Sequence, residues 1–228
     1  MIKDFVYFFG GVVILFIILN SYQQIKGDMV YVKLKNGRTF LVRNIVEKGK
    51  DKEKAAKLLD TVLDNLLLIK KEMETNKKYK DHPAVKRLTN NFKASSITES
   101  LPESEYTSYS LNKGEKISMC IRHKKDTGTN KKDDFIAPNT IMFVAIHEMA
   151  HVMTKSIGHK DDFWHNMKIL LCIAQEKKIY TREDSKQTNK PYCGTEITST
   201  PLKCKSSNNK FQCDLCDDEI KKWLKDPI

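Results

Sequence analysis

The chain has no Asn-x-Ser/Thr acceptor for N-linked glycosylation, no internal repeat and no recognisable nucleic-acid-binding motif. The missing repeat excludes solenoid and propeller architectures. The missing acceptor is compatible with a domain on the cytoplasmic side of a membrane. Charge is absent from one long stretch. Lys3 and Asp4 are the only charges before an uncharged run from Phe5 to Ile25, and its centre, Phe5 to Leu19, is almost wholly apolar. About 20 such residues are enough to span a bilayer. A cleaved signal peptide would show a basic start and a small-x-small cleavage site, and neither stands here. The run therefore reads as an uncleaved N-terminal transmembrane helix over residues 1–25. The flank after it (Lys26, Lys33, Lys35, Arg38, Arg43) is more basic than the few residues before it. That asymmetry places the remainder on the cytoplasmic side.

What is present fits one anchor and one compact domain. The chain has 228 residues, 30% of them charged, and a formal net charge of +11. The lysines are scattered rather than gathered in one arm, so they read first as a solvated basic face. Nucleic acid or anionic lipid is permitted as a partner by this charge but not required by it. Residues 26–50 read as a hairpin or juxtamembrane strands, because Asn36-Gly37 separates Val30–Leu34 from Thr39–Val42. Residues 51–228 read as the domain proper. Asp51 to Lys77 carries Ala55, Leu59, Val62, Leu66, Ile69 and Met73 at helical spacing. His82-Pro83 opens a shorter element, with His82 expected at the surface. Asn90 to Asn112 reads as loop, anchored by Tyr106 and Tyr109. Lys116 to Arg122 reads as a strand, either in the core or at a sheet edge that could align an extended peptide. Cys120 reads as a buried thiol.

The centre of the chain is His147-Glu148-Met149-Ala150-His151, an H-E-x-x-H motif in a run of apolar residues. Residues four apart share a helix face, so both histidines can approach one metal ion, and Glu148 can reach a water beside it. Asn139 or Thr140 is placed to cap this helix, which should end near Thr154 or Lys155 before Gly158. A catalytic zinc takes three protein ligands and keeps one position open. His159, just past the glycine, is the favoured third ligand over His165, Asp161 and Asp162. His165 falls inside the next helix, and the aspartates read as its cap. Metal-assisted peptide hydrolysis follows, with Glu148 as general base. Tyr180 and Tyr192 are candidate donors to the developing oxyanion.

The pattern His147-Glu148-x-x-His151 followed by Gly158-His159-x-x-x-Phe163-Trp164 resembles the minimal zinc metallopeptidases of the WLM and SprT types. It is most similar to the WLM-like proteins of large DNA viruses. There, stretches like Met119-Cys120-Ile121-Arg122, the active helix, Tyr192-Cys193-Gly194 and Ile197 to Pro201 occur together. The resemblance covers about 115–202. The spacing from His151 to His159 falls between the usual WLM and SprT spacings. The resemblance implies an α+β, minimal zincin-like domain with a small sheet packed on helices, His147, His151 and His159 on Zn2+, and Glu148 as base. It also implies a protein substrate; proteins crosslinked to DNA are cut by relatives of both types. With the anchor, the expectation is a single-pass membrane protein, in a virion or host membrane if viral.

The last cysteines, Cys193, Cys204, Cys213 and Cys216, leave three states open: a second, structural metal site, one or two disulfides, or free thiols. Cys213-x-x-Cys216 could supply half of a zinc knuckle, while a cytoplasmic location disfavours disulfides. Two other functional readings stay open. One is a catalytically silent, metal-stabilised structural protein of a membrane or virion. The other is a basic protein that binds DNA or lipid.

Overall fold

The computed structural model describes residues 11, 13–15, 27–45, 51–93, 97–101, 103–124, 134–182, 190–198, 200–202, 204–207, 210–213 and 216–225. The first element is the hairpin of β1 (Met29–Lys33) and β2 (Thr39–Arg43), paired antiparallel across Asn36-Gly37. Gly37 sits at φ 86°, as the turn requires. The hairpin joins the main core, since Phe40 and Val42 are both buried there. Next comes α1 (Asp51–Thr75), whose buried face is Ala55, Ala56, Leu59, Val62, Leu63, Leu66, Ile69 and Met73. This is the stripe that the three-and-four spacing predicts. The short helix α2 (Pro83–Asn91) follows.

A three-stranded sheet carries β3 (Ile97–Glu99), β4 (Tyr109–Leu111) and β5 (Lys116–Met119) in the order β3-β5-β4. β3 runs parallel to β5 and β4 antiparallel to it. Helices α3 (Pro138–Met153) and α4 (Asp161–Glu176) then fill the middle of the molecule. Two small antiparallel hairpins follow, β6 (Lys190–Tyr192) with β7 (Thr195–Ile197) and β8 (Cys204–Ser207) with β9 (Lys210–Cys213). The last element is α5 (Cys216–Lys225). The domain is α+β, with a small sheet packed on the helix that carries the H-E-x-x-H motif.

The sequence-based transmembrane expectation is corrected. No helix among the described residues is long and apolar enough to cross a membrane. Within residues 1–25, residues 11 and 13–15 are described and helical, and the others lie outside the described residues. The membrane partner and the single-pass localisation rested on that anchor and fall with it. The cytoplasmic placement, read from the charges flanking that anchor, loses its basis too.

Other expectations shift for local reasons. The stretch 90–112, read as loop, contains β3 and β4. Their three-residue lengths give too little alternation to show in the sequence. The strand at Lys116 is the centre of its sheet, and β4 is an edge. Ile117, Ser118 and Met119 are all buried, as a strand with neighbours on both sides should be. His82 is buried, not superficial: its Nδ1 accepts from the Ala84 amide, and its ring stacks on Trp223 at 3.7 Å. Neither Asn139 nor Thr140 caps α3. Its cap position is Ala137, with Pro138 in the first turn. Asn139 instead exchanges two hydrogen bonds with the Thr181 backbone.

Candidate metal centre

Helix α3 is apolar on nearly every side because it runs through the core; only His147 and His151 among its last residues are partly exposed. The helix ends at Thr154, which turns to an extended conformation while its amide still bonds to Ala150 O. The chain then crosses to α4 through Gly158 at φ 80°, a left-handed turn that a side chain would disfavour. His159 follows at once and folds back on the first two histidines.

The three Nε2 atoms converge. His151 lies 3.3 Å from His147, and His159 lies 3.0 Å from His147 and 3.1 Å from His151. Nitrogens bound tetrahedrally to one zinc at about 2.1 Å stand roughly 3.4 Å apart. Three neutral imidazoles cannot all satisfy one another by hydrogen bonds, whereas one cation satisfies all three. The cluster therefore could hold a metal ion. His165, Asp161 and Asp162 are outside it.

The electrostatics suit a metal. Burial, then the charges of its two histidine neighbours, lowers the His147 pKa to about 3. Burial, then His159 and Lys113, lowers that of His151 to about 4. Both rings are held neutral, with lone pairs available. Burial pushes the Glu148 carboxyl up to about 8, opposed by a hydrogen bond from the Ser110 backbone. A nearby divalent cation acts in the opposite direction on such a carboxyl.

All three histidines and Glu148 line an open cleft of about 750 Å³. One wall is the stretch from Thr107 to Lys113, including edge strand β4; the other includes Thr195 to Thr198. Phe163 packs beneath the triad, with its ring 4.8, 4.4 and 4.6 Å from those of His147, His151 and His159. It is completely buried, so it fixes all three rings from behind.

The two tyrosines behave differently. Tyr192 borders the cleft, but its hydroxyl donates to Cys120 O at 2.8 Å and meets Ser108 Oγ at 2.6 Å. That proton is already engaged. Burial also raises its pKa strongly. Tyr180 packs on Phe143 at 6.0 Å and is not a wall of the cleft; burial raises its pKa to about 12.

Two disulfides resolve part of the cysteine question. Cys120 pairs with Cys193, and Cys172 with Cys216. Cys193 and Cys216 are therefore not ligands of a second metal. Strand register sets Cys204 opposite Cys213. The first disulfide fastens the β6–β7 hairpin, and so one cleft wall, to the end of β5. Spacing could not reveal either bond, since the partners stand 73 and 44 residues apart.

Sequence reasoning also missed Ser108, Ser110 and Lys113. They act through a serine hydroxyl, a backbone N–H and a single lysine, which leave no pattern. Asp162 was expected to cap α4. Its carboxylate instead accepts from the Ser156 amide at 3.2 Å and the Ser156 hydroxyl at 2.5 Å, besides the Phe163 amide.

A histidine triad that could hold a metal ion, beside a buried glutamate in a cleft walled by an edge strand, is consistent with a metallopeptidase-like fold. More narrowly, the chain belongs to the WLM domain family, whose model matches residues 81–217. An uncharacterised protein of Acanthamoeba polyphaga mimivirus is 28% identical over 181 residues, which are 78% of this chain and 87% of that one. Uncharacterised proteins of Invertebrate iridescent viruses 6 and 3 are 36% and 37% identical over 86 residues, 38% of this chain. The match spans 44% and 48% of those two proteins, so less than half of each. No solved structure matches the chain.

Proposed function

We propose that this protein is a zinc-dependent endopeptidase acting on protein substrates. The observation that carries the reading is the convergence of three histidine Nε2 atoms within 3.3 Å beside Glu148 in an open cleft. His147, His151 and His159 would hold the ion. When bound, zinc supplies Lewis-acid polarisation of a carbonyl and acidification of water. Glu148 accepts the proton of the attacking water and returns it to the leaving amine. The hydrogen bond from Ser110 at the edge strand orients the carboxylate for both transfers.

The outer edge of β4 has no strand beside it among the described residues. An extended substrate pairs there by main-chain hydrogen bonds, which recognise backbone rather than sequence. A cleft open at the metal supports an enzyme over a closed structural site. Residues 26–225 are taken together as the catalytic unit, because the first hairpin shares the core.

The test is cleavage profiling of the full chain on a mixed peptide library, before and after chelation and after zinc is restored. The expected result is cleavage lost with the metal and recovered with zinc. Cleavage that survives complete metal removal contradicts the reading.

A further inference from the structure

We propose that Lys113 is a positioning residue whose ammonium clamps the connection between α3 and α4 and so sets the place of His159 in the triad. This rests on the assignment of His147, His151 and His159 as metal ligands. His159 is the member of the triad that no helix carries, and it is exposed. A ligand on an exposed connection needs support from outside it, because ligand placement depends on the groups that orient it.

Lys113 supplies that support from a different layer of the fold. Its Nζ donates to Thr154 O at 2.9 Å and to Ser156 O at 2.7 Å. Those two carbonyls lie on the path from His151 to His159. The other side of Ser156 is held by Asp162 through the two hydrogen bonds described above. The connection is thus gripped between a cation from the sheet and an anion from α4. Asn166 adds a third tie, from its Nδ2 to Thr154 Oγ1 at 2.9 Å.

The turn between β4 and β5 takes left-handed backbone at three successive residues, as tight hairpin connections commonly do. Asn112, Lys113 and Gly114 have φ of 46°, 55° and 109° in succession. Left-handed conformations in non-glycine residues cost roughly 1–3 kcal/mol each. Gly114 also lets the turn sit hard on its neighbours: a Cβ there would lie 3.0 Å from Asn91 O and 3.0 Å from Val152 Cγ1. Val152 directly follows His151. The turn is therefore pressed against the ligand helix at the point from which Lys113 reaches the ligand loop.

The same stretch, 108–114, touches the rest of the site. Ser108 meets the Tyr192 hydroxyl, and the Ser110 backbone meets Glu148. Lys113 completes the set by holding the third ligand's loop.

The test uses the full chain and zinc itself, titrated against a chromogenic chelator, with the visible spectrum of the cobalt-substituted protein as a second readout. Lys113→Met keeps the aliphatic stem and removes the donors. One equivalent of zinc still binds, with affinity lowered about 10–100-fold, the range for groups that orient a ligand. The cobalt spectrum changes in the same variant, because the geometry around His159 is altered. Lys113→Arg recovers part of the affinity, since a guanidinium can donate to both carbonyls. Lys155→Met, at an exposed lysine of the same connection, binds as wild type does. Should Lys113→Met fail to fold by circular dichroism, Lys113→Gln is read in its place. A folded variant that binds zinc within about twofold of wild type, with an unchanged cobalt spectrum, overturns the proposal. Wild-type protein that takes up no zinc overturns the ligand assignment first, and the proposal with it.

Discussion

Removing the Cys120–Cys193 disulfide should cost the domain a large part of its stability and should loosen one wall of the cleft. The two cysteines are 73 residues apart. In the chain-entropy treatment, a closed loop of that length restricts the unfolded chain by about 4.4 kcal/mol at 25 °C. The same expression gives about 4.0 kcal/mol for the 44 residues between Cys172 and Cys216. The two loops overlap, so their effects do not add. A domain of this kind has a total stability of roughly 5–15 kcal/mol, and the loss of one bond is therefore a large fraction. The perturbation is Cys120→Ala with Cys193→Ala, which avoids an odd thiol. The assay is urea unfolding followed by tryptophan fluorescence, with the denaturant slope checked for constancy. The expected loss is about 2–4 kcal/mol, because measured values usually fall below the chain-entropy figure. A loss under about 1 kcal/mol at unchanged slope would refute the claim that this bond restrains the unfolded chain. Faster hydrogen exchange in β6 and β7 should accompany the loss, since their link to β5 is gone.

Four further outcomes follow from particular contacts. Phe163→Ala removes the ring beneath the triad and should cost about 3–5 kcal/mol in unfolding free energy, with weaker zinc binding on titration. Glu99→Gln takes the carboxylate from between the buried Arg43 and Arg122, whose nitrogens lie 3.5 and 3.2 Å from Glu99 Oε1. The loss should be about 3–5 kcal/mol by denaturant titration, because it leaves buried positive charge uncompensated. Trp223→Phe deletes the donor to Asn166 Oδ1 at 2.9 Å and should lower stability by about 1 kcal/mol, seen as a shift in the thermal midpoint. Zinc at about 100 times its dissociation constant should raise stability by about 2.7 kcal/mol, and Glu148→Gln should show the same rise.

The parts of this fold that could be read in advance are those with a long period or a fixed spacing. α1 declares itself by eight buried residues at helical intervals, and the first hairpin by Asn36-Gly37. The histidine cluster is legible because His147 and His151 share one helix face and Gly158 interrupts the chain just before His159. The sheet was only partly legible. β3 and β4 are three residues long, and which strand lies at the edge depends on pairings between residues far apart in sequence. Residue types alone also misplace caps: Asn139, Thr140 and Asp162 all look like helix starters, yet Asn139 binds Thr181 and Asp162 binds Ser156. His82 precedes a proline in a polar setting, and nothing nearby announces that Trp223 will cover it. Supporting groups such as Ser110 and Lys113 act through backbone atoms or one amine, so only the folded chain brings them to the site. The apolar run from Phe5 has the length of a bilayer span but lies mostly outside the described residues, among which no helix is long and apolar enough to cross a membrane.

The central claim is that Glu148 is the base of a zinc peptidase, and Glu148→Gln tests it most directly. Zinc content by elemental analysis and peptide cleavage are measured on the same preparations of wild type and variant. One zinc per chain is expected in both, with cleavage reduced by about 10²–10⁴-fold in the variant, the usual contribution of a general base. Equal cleavage by the two zinc-loaded proteins contradicts the claim.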